Sequence, residues 1–329
     1  MVNRTSSKKK ATNDYIERDL SWMYFNRRIL QEATKTNVPL LERLSFLGIY
    51  SNNLDEFFRV RMATLSRIAE CEDKSLKKEK EHAQKLIRRI NKLNNTYAKE
   101  YAEAIANVTQ QLRDEHIFLL NETELDEEQQ KYVRLFFRQK LSGFVSPVWI
   151  TAAKQLTDET DESIYLGVKM NTEGKKSDYA LIELPTEAGG RFVRLPDRED
   201  NKYLMYVDDV IRYCLPYIFG GLGYTHFEAY SFKFTKDAEM EMGNDLRNGV
   251  LQKISKGVKS RRKGDALRVI YDQNMPRDLQ KRIMNLLNLD KLDTVLAGGR
   301  YHNHKDLMSF PDCGRDDLKY PVWKPIVRP

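Results

Sequence analysis

The stretch Leu41-Glu42-Arg43-Leu44-Ser45-Phe46-Leu47-Gly48-Ile49-Tyr50-Ser51-Asn52-Asn53-Leu54-Asp55-Glu56-Phe57-Phe58-Arg59-Val60-Arg61 organises the first third of the chain. Leu40, Leu41, Leu44 and Leu47, then Phe57, Val60 and Leu65, keep helical spacing on both sides of residues 48–53. Between them lies a polar interruption with one glycine and two consecutive asparagines. Asn53-Leu54-Asp55-Glu56 has the form of a helix start, with Asn53 at the N-cap and Glu56 three residues on. The expectation is therefore helix, break, helix, with side-chain amides at the break. Such an amide either caps backbone N–H groups or donates and accepts toward a planar base.

Outward from this stretch, residues 15–36 read as a helix carrying Trp22, Phe25, Ile29 and Leu30 on one side, ended by Asn37-Val38-Pro39. Leu86, Ile90, Leu93, Tyr97, Tyr101, Ile105, Val108 and Leu112 form one stripe on a single long helix, the pattern of core packing. Residues 15–114 are thus expected to be a helical bundle, after a disordered basic tail at 1–14. The composition changes after His116. Ile117-Phe118-Leu119-Leu120 is β-like, and Thr123 with Asp126-Glu127 opens a helix through Phe137. Strands are expected at 163–170, with Ile164, Leu166, Val168 and Met170 alternating against Tyr165, Gly167 and Lys169, and at 179–184, 192–195, 230–235 and 267–271. Helices are expected at 208–216 (capped by Asp208), 236–256 and 276–287. This mixture lacks a strict strand–helix–strand rhythm, so residues 115–318 are expected to be an α+β head domain, and the whole chain α+β. Residues 319–329, rich in Pro and Trp, read as a linker.

At 329 residues the chain has room for two cores, and no apolar run approaches the ~20 residues needed to span a bilayer. Cys71, Cys214 and Cys313 stand far apart, which argues against a zinc site or a disulfide framework and fits a reducing cytoplasm. The net charge of +7 favours anionic partners. Lys253, Lys256, Lys259, Arg261, Arg262 and Lys263 form a basic run that either tracks a polyanion or is a solvated loop. No aromatic ladder interleaves with these cations, which makes nucleic acid an unlikely partner. None of His82, His116, His226, His302 and His304 has a helical ligand partner, so no metal site is expected. His302 and His304 flank Asn303, placed to reach one anion or to bond to backbone. No Gly-x4-Gly-Lys-Ser/Thr loop is present; Gly220-Gly221-Leu222-Gly223 reads as a helix stop and turn.

Asp19-Leu20-Ser21-Trp22 through Glu32-Ala33, Pro39-Leu40-Leu41-Glu42-Arg43, the central stretch itself, Gly298-Gly299-Arg300-Tyr301-His302-Asn303 and Phe310-Pro311 together resemble the amino-terminal and head domains of bacterial polyphosphate kinases, the large histidine-phosphorylating family. The resemblance implies reversible transfer of the terminal phosphate of ATP to polyphosphate, with Mg²⁺ as cofactor. It also implies a phosphohistidine intermediate in the complete enzyme and a head that takes part in homodimerisation. Carried over by position, the adenine-contacting residue is Asn53. The family's phosphate-accepting histidine lies in a His-x-Lys motif of the other half. No histidine here is followed by lysine at i+2, so the chain by itself is expected to be inactive, whether it is a truncated piece or a naturally short protein. The alternative readings are a non-catalytic dimerisation and polyanion-binding module and, more remotely, a basic nucleic-acid-binding protein.

Overall fold

The computed structural model describes residues 15–71, 73–150, 163–173, 176–236, 266–287, 289 and 294–323. The expected helix at 236–256, apart from Lys236, which is the last residue of a strand, and the basic run at 253–263 lie outside them.

Helix α1 (Arg18–Thr34) packs on α2 (Leu40–Glu56), which continues through a π-helical segment, Phe57–Met62, into α3 (Ala63–Glu70). The expected break at 48–53 is therefore corrected: the helix runs through it, and Asn53 is not an N-cap. The carbonyl of Asn53 accepts the N–H of Phe57 as in any helix interior. Gly48 serves close approach instead. A Cβ there would lie 2.7 Å from Met308 Cγ and 2.9 Å from the Met308 nitrogen. The irregularity falls four residues beyond Asn53, in the π segment. There Phe57 stacks on Trp22 with centroids 4.4 Å apart, and Phe58 lies under the Arg268 guanidinium at 4.3 Å. The face assigned to α1 also needs correction. Leu20, Met23, Asn26, Leu30 and Ala33 are buried, whereas Phe25 is 60% exposed.

Helix α4 (Lys77–Asp114) is the 38-residue rod that its stripe predicts, burying Leu86, Ile90, Tyr97, Val108 and Leu112. Strand β1 (Ile117–Leu120) follows directly, and then α5 (Glu127–Phe136). A capping box starts α5: Asp126 accepts from the backbone of Gln129, whose side chain returns to the Asp126 N–H.

A six-stranded sheet forms the centre of the head, in the order β2-β4-β3-β7-β8-β9. Its strands are β2 (Val148–Trp149), β3 (Tyr165–Asn171), β4 (Asp178–Glu183), β7 (His226–Lys236), β8 (Ala266–Asp272) and β9 (Thr294–Gly298). All pairings are antiparallel except β8–β9. A second, three-stranded sheet pairs β1 with β6 (Lys202–Tyr206) in parallel, and β6 with β5 (Phe192–Arg194) antiparallel. Strands β6 and β9 were not anticipated from the sequence. The short α6 (Thr186–Gly189) precedes β5, and α7 (Val207–Phe219) and α8 (Arg277–Leu286) cover opposite faces of the larger sheet.

The alternation along β3 separates two cores, not core from water. Leu166, Val168 and Met170 pack with α7 residues, Tyr165 packs on the α8 side, and a Cβ on Gly167 would meet Ile283 Cδ1 at 2.8 Å. Asp208 is not a cap. Tyr206 holds that position, and Asp208 lies fully buried in the first turn of α7. After β9 the chain returns across the helices. Leu307, Cys313 and Leu318 join the same hydrophobic cluster as Leu44, Leu47 and Val108.

Candidate nucleotide-contact site

Helix α2 faces α1 with Asn53 and the head sheet with Asp55. Asn26, 1% exposed, stands on the buried stripe of α1 between Met23 and Leu30. Its Nδ2 donates to the Tyr50 carbonyl at 3.2 Å. That bond fixes which way the amide points, because a carbonyl can only accept. Asn26 Oδ1 is therefore turned toward Asn53, whose Nδ2 donates to it at 3.2 Å. The Asn53 amide is oriented in turn, and on this half-buried side chain Oδ1 and the second N–H of Nδ2 have no partner among the described residues. A carboxamide presented this way offers one acceptor and one donor side by side.

Two turns of contact lock the helix that carries Asn53. Tyr50 stacks on Tyr101 of α4 at 5.1 Å, and Tyr101 Oη donates to the Leu47 carbonyl at 3.1 Å. At the other end, Asp55 accepts from Lys233 Nζ of β7 at 2.5 Å and from Arg268 Nη1 of β8 at 2.9 Å. Burial would raise the Asp55 carboxyl, but the two cations outweigh it and hold it below the usual carboxylate range. Burial lowers Lys233, with Asp55 acting against it. These three groups tie α2 to the sheet. The sequence pattern instead places Asp55 in a helix start. A hint lay in β7, where Ser231, Lys233 and Thr235 alternate with Tyr230, Phe232 and Phe234 and are all buried.

The segment Gly298-Gly299-Arg300-Tyr301-His302-Asn303 leaves β9 and packs beside this link. His302 is 4% exposed, and its Nε2 lies 3.1 Å from the Ser231 carbonyl, so it bonds to backbone. Burial, with His304 and Lys233 nearby, holds His302 well below the usual imidazole range, and burial with Arg191 pushes His304 down to about 3. Neither is poised as a cationic anion ligand. Arg300 and Tyr301 both donate to the buried Asp209, at 2.8 and 2.6 Å, and Arg212 joins at 2.7 Å, which makes this segment a structural clamp on α7. Gly220–Leu222 is a 3₁₀ turn closed by Gly223 at φ +80°, as the glycine run implied.

A chain with a helical amino-terminal unit and a mixed-sheet head matches one protein class along most of its length. The family model described as the polyphosphate kinase N-terminal domain matches residues 15–120, and the polyphosphate kinase middle domain matches residues 128–310. The chain belongs to the polyphosphate kinase family. It is 36% identical over 323 residues to a polyphosphate kinase of Vibrio vulnificus, covering 96% of this chain and 45% of that protein. It is also 36% identical over 320 residues to the polyphosphate kinase of Escherichia coli K12, again covering 45% of it. The chain thus spans a little under half the length of these relatives. The crystal structure of a polyphosphate kinase from Porphyromonas gingivalis shares the fold, with TM-score 0.74 over 95% of this chain and 43% of that one, at 24% identity.

Proposed function

We propose that this chain supplies the adenine-reading wall and the head of a polyphosphate kinase that catalyses ATP + polyphosphate(n) = ADP + polyphosphate(n+1). The observation that carries this reading is the oriented Asn53 amide. Its free Oδ1 matches the N6 amino donor of adenine and its free N–H matches the N7 acceptor, whereas guanine presents an acceptor at O6 in place of that donor. Asn26 sets the orientation, and Asp55 with Lys233 and Arg268 holds the helix in place.

The chemistry of phosphoryl transfer is assigned elsewhere in the complete enzyme. No histidine of this sequence sits in a His-x-Lys context, and His302 is buried against backbone, so the chain alone is proposed to be inactive. Mg²⁺ would accompany the nucleotide phosphates. Among the described residues no group of three His, Cys, Asp or Glu side chains is placed to hold a metal ion, and none of them is assigned to Mg²⁺. A homodimer formed through the head, and a cytoplasmic location, belong to the same proposal. Among the described residues no helix is long and apolar enough to cross a membrane.

The test is photolabelling of the chain with an azido-adenosine triphosphate, followed by peptide mapping. Label is expected on the peptide containing residues 41–61, and excess ATP should suppress it more effectively than GTP. Absence of ATP-protectable label from that peptide would overturn the assignment.

A further inference from the structure

A groove of about 520 Å³ opens between α5 and α7, remote in sequence from Asn53 and from the residues that hold it. One rim carries Lys131, Arg134 and Arg138, at i, i+3 and i+7 along α5 and into the π-helical turn Phe137–Leu141 that extends it. This spacing lays three cations along ~10 Å of one helix face. Among the described residues, none of the three has a carboxylate within ion-pair distance. Elsewhere in the described residues arginines are commonly paired: Arg27 with Glu100, Arg61 with Asp19, Arg113 with Glu124, Arg315 with Glu115. Arg134 is also pre-oriented, because its Nη1 donates to Tyr213 Oη at 2.6 Å.

The remainder of the groove is apolar. Leu135 is 43% exposed beside buried Phe137 and Cys214, and the Tyr217 ring is 61% exposed at the opposite rim. Burial pushes the Cys214 thiol up to about 12, so it lies in the floor as a small hydrophobe. A bare polyanion would use the cations and gain nothing from this floor or ring. A ligand with a planar, partly apolar body and an anionic tail uses both. The volume falls within the usual range for small-molecule sites, ~300–1,000 Å³. Single π-helical turns such as the one bearing Arg138 also recur at functional sites.

We propose that this groove is a second nucleoside-phosphate site, with the base on Tyr217 and Leu135 and the phosphates on Lys131, Arg134 and Arg138. It is separate from the contact at Asn53, and neither assignment depends on the other.

The same azido-adenosine triphosphate, used on the whole chain, distinguishes the two sites by peptide. Label is expected on the α7 peptide containing Tyr217, protected by ATP at least tenfold more effectively than by tripolyphosphate. Arg134→Gln with Arg138→Gln should reduce that label about tenfold or more while leaving label on residues 41–61 unchanged. Lys131 and Tyr217 are exposed, so Lys131→Gln and Tyr217→Ser serve where the double variant fails to fold, and each should lower the α7 label at least threefold. The proposal is overturned if the Tyr217 peptide takes no protectable label. Equal protection by ATP and tripolyphosphate, or by an acidic peptide, would overturn it too, as would indifference of the label to these variants.

Discussion

Replacing Asn53 by Asp separates the role that the structure gives it from the capping role its sequence suggests. At an N-cap the exchange is nearly neutral, since an acceptor oxygen is kept. In the structure the amide instead donates, to Asn26 Oδ1 at 3.2 Å. The introduced carboxylate would face that oxygen with no proton to offer. Asn26 has no remedy, because turning its amide would set Oδ1 against the Tyr50 carbonyl that its Nδ2 now serves. The loss is one net hydrogen bond and one unmatched oxygen on a side chain 1% exposed, about 2 kcal/mol in sum. Urea unfolding of Asn53→Asp beside wild type at pH 7 measures this. The pH dependence has a definite sign. Opposed by an acceptor, the new carboxyl has a folded pKa above its unfolded one, so its own contribution to stability, relative to wild type, is most favourable at low pH and is lost as pH rises through the folded pKa. The deficit should therefore be smaller near pH 4, where the protonated group can donate, than at pH 7. A deficit below about 0.5 kcal/mol at pH 7, or one that does not change with pH, would refute the Asn26–Asn53 relay.

Asp55→Asn should cost about 3 kcal/mol in the same assay, the lower end for a broken buried pair because Asp55 keeps 19% exposure; a loss under 1 kcal/mol would mean that the helix is held otherwise. Because the Asp55 carboxyl is lowered on folding, its stabilisation is present above the ordinary carboxylate range and should be lost as pH falls through the folded value. Gly48→Ala forces a methyl group to within 2.7 Å of Met308 Cγ and 3.2 Å of the Lys305 carbonyl, and should destabilise by roughly 1–3 kcal/mol despite alanine's better helix propensity. His304, pushed down to about 3, should keep neutral-imidazole NMR shifts from pH 8 to pH 5, and the stability its neutral form contributes should decline as pH falls below the ordinary imidazole range.

What the sequence revealed was local and periodic. The α4 stripe and the strands around 165–171 and 178–183 follow from spacing within a dozen residues, whereas the start expected from Thr123 with Asp126-Glu127 falls at Asp126 alone, Thr123 standing before the helix. The polar interruption at 48–53 misled, because its residues are polar toward protein: Gly48 toward Met308, Asn53 toward Asn26. Helical sequences normally place such residues at ends or in water, and a window of neighbours cannot show a distant partner. The clearest instance is Asp55, whose cations lie 178 and 213 residues away. Asp208 was misread for the same reason, its carboxylate being matched by Arg191 from outside the helix. Strand β9, Thr-Val-Leu-Ala-Gly running into a second glycine, resembles a turn until its parallel pairing with β8 supplies the other half of the ladder.

The most direct test of the central claim is to watch the Asn53 side-chain amide itself. In protein labelled with ¹⁵N at asparagine, its Nδ2 resonances can be assigned by their disappearance in Asn53→Leu and followed during titration with ATP and with GTP. The account predicts a saturable downfield shift of one Asn53 amide proton with ATP, as the free N–H engages N7, and a much smaller change with GTP at equal concentration. Unperturbed Asn53 resonances at millimolar ATP, or equal shifts with the two nucleotides, would contradict it.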